Sequence, residues 1–245
     1  MLKYIVPFYY LIHSRTKGIH FLSYFLMNIL PPFLLLLLYY KETISFVLLQ
    51  KYILSFLAML SLYEAGYIVN DSICILKDPK PTRRIDFGEE IFIKSRIKRI
   101  LLLKTMCSAL FFILLCLTCP FYSMLRLAAC LVLILFIYAI HNTFRSWINY
   151  ITVFFLTTLN YVSTIAVFGS FMQWISALLI IMLIFSLPKT ALYIIRKKSE
   201  HYREGFSYAF YMFAMSMVLS KTQVWIIPFY IALYRSLNFI LWRKR

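Results

Sequence analysis

Asn70, Asp71 and Asp78 stand where a long apolar run gives way to basic residues, in the stretch YEAGYIVNDSICILKDPKPTRR at 63–84. On a continuous helix, positions i, i+1 and i+8 fall close to one face, and one heptad back that face reaches Glu64. Carboxylates at the mouth of a membrane helix are expensive and mark function by default. Asp71 and Asp78 are hard oxygen ligands suited to Mg²⁺, which takes one or two carboxylates and fills its octahedron with water and substrate phosphate. Asn70 adds an amide oxygen or a hydrogen bond to substrate. Lys77, Lys80, Arg83 and Arg84 supply the charge that steadies phosphates and makes pyrophosphate a good leaving group. The structural alternative is a salt-bridged helix end. Against it, the chain has only nine acids, with none between Glu90 and Glu200.

Three more polar groups fall at positions that can share the same mouth. Arg196, Lys197, Lys198, Glu200 and Arg203 can hold phosphate oxygens, with Glu200 orienting a base or ligating metal; a plain positive anchor is the alternative. Tyr138, His141, Asn142, Arg145 and Asn149 occupy the next turn on that side, where the lone His141 reads as an interfacial hydrogen-bonder. Arg15 and Lys17, ahead of the first apolar run, either reach a phosphate or anchor to lipid headgroups. Asn160 and Tyr161, inside an apolar run, read as helix-packing residues.

The elements that must position these groups are membrane helices. The chain is 62% hydrophobic and 14% charged, with mean hydropathy +0.80, far from a soluble domain. About eight apolar runs are long enough to span, each needing roughly 20 residues: 18–40, 45–70, 99–118, 121–141, 146–168, 171–194, 205–220 and 222–241. Residues 85–99 alternate apolar and charged and predict a separate interfacial helix. Pro31 and Pro32, Pro188 and Pro228 predict kinks. The net charge of +17 does not indicate nucleic-acid binding, because the cations lie between apolar runs. Most gather on one side, and only Lys41, Lys51, Arg126 and Lys221 fall on the other. The positive-inside rule then places both termini and the 71–99 segment in the cytoplasm. No removable signal peptide is expected. Cys116 and Cys119 form a CxxC without a second pair and read as buried apolar residues, as do Cys74, Cys107 and Cys130. No composition shift divides residues 1–245, which read as one integral membrane domain.

Asn70, Asp71 and Asp78 followed by Pro81, Thr82, Arg83 and Arg84 resemble the first signature of the UbiA-type intramembrane prenyltransferase superfamily. That signature reads N-D-x-x-D-x-x-x-D after the second helix. Cys74 stands at the middle aspartate, which implies one Mg²⁺ or an altered donor set. The second loop holds RKKSE in place of aspartates. Its Arg196, Lys197 and Glu200 resemble the basic-basic-x-x-Glu pattern of the polyprenyl-phosphate phosphoribosyltransferase branch. Tyr138, Arg145 and Asn149 echo the Tyr, basic residue and Asp of the superfamily's turn between helices four and five. The resemblance implies an all-α bundle of eight to nine transmembrane helices with an active-site mouth on the cytoplasmic side. It implies Mg²⁺-dependent transfer of 5-phosphoribose from phosphoribosyl pyrophosphate, a phosphorylated sugar donor, to a polyprenyl phosphate. The setting it implies is cell-surface polysaccharide synthesis at a bacterial inner membrane. The alternatives are a prenyltransferase acting from an isoprenoid diphosphate, a carrier for a lipid-linked sugar with Lys104, Lys189 and Arg235 as midplane charges, and a scaffold without catalysis. A homo-oligomer is compatible with each.

Overall fold

Inside hydrocarbon the backbone has no partner but itself, so uninterrupted apolar runs close their own hydrogen bonds as helices. The computed structural model describes residues 4–14, 22, 24–77, 83–144, 146–196 and 202–242, and every regular element among them is helical. Helix α1 is Tyr9–Ser14. Helix α2 starts as a π turn, Phe25–Ile29, and continues as Leu30–Leu38. Next come α3 (Phe46–Ser72), α4 (Phe87–Cys116), α5 (Phe121–Thr143) and α6 (Ile148–Ile165). Helix α7 runs as Phe171–Ile181, a π turn at Met182–Ser186, and Leu187–Arg196. Helices α8 (Tyr202–Val218) and α9 (Ile226–Trp242) close the chain.

Five of these helices, α3 to α7, are long and apolar enough to cross a membrane, which makes the chain an integral membrane protein. The runs expected to span at 18–40, 205–220 and 222–241 form the shorter helices α2, α8 and α9. Helices α3 and α6 are the most buried of the five, and α4 is the least. On α4, Leu102, Met106, Leu110 and Ile113 stay exposed, as does Leu117 at its C-cap. Their spacing of three and four residues makes one uncovered apolar stripe, the face a bilayer would wet.

Two sequence expectations change here. Residues 85–99 do not form a helix of their own: Phe87–Cys116 is one 30-residue helix. Asp86 caps it by accepting the Glu89 N–H at 2.7 Å, Glu89 and Glu90 complement the dipole of the first turn, and no proline follows to break it. Conversely, the helix carrying Asn70 and Asp71 ends at Ser72 and passes into a 3₁₀ turn, Cys74–Lys77. The continuous helix expected to run on from Asp71 is therefore interrupted after Ser72, and Asp78 lies outside the described residues.

The proline expectation holds in two places, in a specific form. Pro31 has no N–H to offer the Met27 carbonyl, and the π turn pairs the Leu30 N–H with Phe25, one carbonyl further back than an α-helix would. The carbonyls so released are taken by phenols of other helices. Tyr161 donates to Met27 O at 2.9 Å and Tyr230 to Leu26 O at 3.0 Å; beside them Tyr52 donates to Ile29 O at 2.5 Å. Ahead of Pro188 the same device recurs: Leu187 N–H bonds Met182 O, and Tyr211 donates to the Leu183 carbonyl at 2.8 Å. Pro228 lies in the first turn of α9, where the missing N–H breaks no helix bond.

Arg126, expected on the far side, is a local clamp. Its guanidinium donates to Gly169 O at 2.9 Å, Ser170 O at 3.0 Å and Ser123 Oγ at 2.8 Å. Gly169 turns with φ +62°, and an added Cβ there would meet the Tyr40 ring.

Candidate active site

Antiparallel packing brings the C-terminal ends of α3, α5 and α7 to one end of the bundle, beside the N-terminal end of α6. They enclose a cavity of about 340 Å³. Helix α3 contributes Tyr63, Tyr67, Asn70 and Asp71, and the following loop returns Arg84. Helix α5 adds Tyr138 and His141, α6 adds Val153, Leu156 and Thr157, and α7 adds Lys189 and Tyr193. This is the end on which the sequence gathers its cations.

Asp71 is 1% exposed. Its Oδ1 accepts from Arg84 at 3.1 Å and from the Asn70 amide at 3.2 Å, and its Oδ2 accepts from the Tyr10 hydroxyl at 3.1 Å. The salt-bridged helix end weighed as an alternative is therefore present, with Arg84 as partner instead of a lysine. It does not remove the group from the cavity, since Asp71, Asn70 and Arg84 all line it.

Arg83, next in sequence, turns away. It pairs with Glu90 at 3.3 Å, which also holds Lys94 at 2.6 Å, and it is not among the cavity-lining residues. Asn149 is buried at the start of α6, with its Oδ1 unbonded, and does not line the cavity. Asp78, Lys80, Arg145, Lys197, Lys198, Glu200, Arg15 and Lys17 lie outside the described residues, as do the side chains of Lys77 and Arg196.

The N-terminal segment is the largest feature the sequence reading missed. Tyr4 and Tyr10 are buried against Ile68, Ile85, Ile93 and Ile100. The Tyr4 hydroxyl donates to Glu89 at 2.5 Å, and His13 meets the other oxygen of Glu89 at 2.9 Å. Burial first, and the Glu89 carboxylate second, push the Tyr4 phenol well above its ordinary pKa, so it remains a donor at any physiological pH. Glu64, one heptad back on the helix of Asp71, does not line the cavity. It is fully buried, accepts the Leu11 N–H at 2.8 Å and forms an ion pair with Lys104, also fully buried. Lys104 in turn donates to Val6 O at 3.3 Å. The carboxylates of α3 thus fasten the N-terminal segment, and Tyr10 carries that fastening to Asp71.

Tyr63, Tyr67 and Tyr138 meet edge to face, with centroids 5.1, 5.3 and 6.2 Å apart, and form an aromatic wall. His141 Nδ1 lies 2.8 Å from the Thr152 hydroxyl, which itself donates to Asn149 O at 3.1 Å. Behind Tyr138 a second hollow, about 510 Å³ and mainly apolar, opens between α3, α4 and α5. Tyr138 lines both spaces. Its ring lies against Gly66, where a Cβ would come within 2.4 Å of the ring carbons. Gly66→Ala is therefore expected to displace the ring and destabilise the protein by about 1–3 kcal/mol, read as a lower unfolding temperature in detergent. Adding Tyr138→Ala should relieve much of that strain, so strictly additive losses would contradict the contact.

Among the described residues no three His, Cys, Asp or Glu side chains gather as a metal site. Asp71 and Asn70 are the carboxylate and amide that line the cavity, and both Asp71 oxygens already accept hydrogen bonds. No protein-family model, no curated protein and no solved structure matches the chain. Fold and cavity define an all-α integral membrane protein with a charged cavity at one end of its helices.

Proposed function

We propose that the protein is a membrane transferase that moves 5-phosphoribose from phosphoribosyl pyrophosphate to a polyprenyl phosphate, releasing pyrophosphate. The observation that carries this reading is the cavity itself: one carboxylate, its arginine, a lysine and a tyrosine wall enclosed between membrane helices. A soluble anionic donor enters through a basic mouth. An acceptor with an apolar tail reaches the same chamber from the bilayer, its tail in the hollow behind Tyr138. In this reading the bundle is UbiA-like, with eight membrane-crossing segments and both termini in the cytoplasm, at a bacterial inner membrane.

The C1–O bond of the donor breaks, and its electron pair leaves with pyrophosphate. An oxygen of the acceptor phosphate forms the new bond to C1. Positive charge builds on the ribose, where the faces of Tyr63, Tyr67 and Tyr138 can stabilise it. Mg²⁺ held by Asp71 beside Asn70 would neutralise the departing pyrophosphate. Arg84, released from Asp71, can follow the same charge. A phosphate monoester is largely dianionic at neutral pH, so its attack needs no general base, and His141 can serve in its bond to Thr152.

The purified protein should carry label from phosphoribosyl pyrophosphate into the lipid phase only when polyprenyl phosphate and Mg²⁺ are both present, and EDTA should stop it. Label entering an aromatic acceptor from a prenyl diphosphate instead would favour the prenyltransferase reading. Neither transfer, from folded protein, would leave the carrier and scaffold readings.

A further inference from the structure

Lys189 is the cavity-lining charge that the mechanism does not use. It lies on α7 one residue beyond Pro188 and about 10 Å, at a helical rise of about 1.5 Å per residue, from the helix end at Arg196. Its side chain is exposed even though the helix is one of those apolar enough to span the membrane. The space it meets is the cavity. A lysine within a membrane helix is costly and marks an ion or substrate path. The other charged side chains lining the cavity, Asp71 and Arg84, pair with each other at 3.1 Å. Among the described residues Lys189 has no carboxylate partner. With Asp71 and Arg84 neutralising each other, the described lining residues carry one positive charge in excess, which favours an anion. The Thr158 hydroxyl of α6 donates to Ser186 at 2.7 Å, which fastens the irregular turn directly ahead of Pro188.

We infer that Lys189 binds the phosphate monoester of a lipid acceptor, at a position on α7 separate from the Asp71 and Arg84 pair that receives the soluble donor. This inference rests on the transferase reading for the name of the lipid, but the binding it describes does not require turnover. The lipid source is favoured because Lys189 sits on a helix apolar enough to cross a membrane, about two turns before Arg196, where an amphiphile can present its phosphate.

The test is binding to the purified full chain in lipid nanodiscs, with a long-chain polyprenyl phosphate as probe, the matching polyprenol as its neutral control, and inorganic phosphate as the soluble source. Wild type should bind the polyprenyl phosphate more tightly than the polyprenol. Lys189→Met should weaken phosphate-lipid binding at least about tenfold, the loss of a charge-assisted hydrogen bond, and leave polyprenol binding unchanged. Lys189→Arg should retain most of the affinity, and Lys189→Gln serves if the Met variant unfolds. Equal affinity of wild type and the neutral variants for polyprenyl phosphate would overturn the inference. So would Lys189-dependent binding of inorganic phosphate without preference for the lipid. Lys189-dependent lipid binding in a protein that transfers no phosphoribose would sustain this inference and end the transferase reading.

Discussion

Replacing Glu64 by alanine is expected to remove about 3–5 kcal/mol of stability, the range for breaking a buried ion pair from one side. Both partners are fully buried, so the Lys104 ammonium would be left among apolar helices without a counter-charge. The Leu11 N–H, which Glu64 also accepts, would lose its partner at the same time. The expected readout is a large fall in unfolding temperature in detergent, with early release of the N-terminal segment to proteases. The double replacement Glu64→Leu with Lys104→Met should recover much of the loss, because removing both charges leaves neither one orphaned. A single variant as stable as wild type would contradict the structural role assigned to the pair.

The second large effect falls on activity. Asp71→Asn keeps the shape of the side chain and removes its charge. Transfer is expected to drop on the order of 10²–10³-fold, as when one group aimed at developing charge is removed, with the unfolding temperature little altered. The pairing of Asp71 with Arg84, Asn70 and Tyr10 makes asparagine a better probe than alanine, which would leave a half-buried guanidinium and a buried phenol without their acceptor.

What the sequence made legible was chemistry tied to helix ends. Asn70 and Asp71 were found because acids are scarce in this chain and these two end an apolar run. Tyr138 and His141 were found because they end the next helix on the same side. The prolines at 31, 32 and 188 foretold irregular helices. What stayed hidden depended on contacts between distant segments. Tyr10 meets Asp71 across 61 residues and Tyr4 meets Glu89 across 85, and no local pattern in YIVPFYYLIHS announces either. Adjacent residues Arg83 and Arg84 look alike in sequence, yet the chain sends one to Glu90 and the other into the cavity. A lone lysine in an apolar run reads equally well as a snorkelling anchor, so the place of Lys189 emerged only when α7 was packed against α3 and α6. Helical periodicity put Glu64 on the Asp71 face, inside the apolar run, but did not reveal its partner. A carboxylate seven residues from Asp71 lies two turns deeper, and its partner Lys104 is on another helix.

The most direct test of the central claim, that the cavity around Asp71 is a transferase site, is transfer of label from phosphoribosyl pyrophosphate to polyprenyl phosphate by wild type and Asp71→Asn side by side, each shown to be folded. Transfer by wild type with a loss of at least a hundredfold in the variant is the predicted result. Equal transfer by both proteins would contradict the site, and no transfer by folded wild type would contradict the reaction.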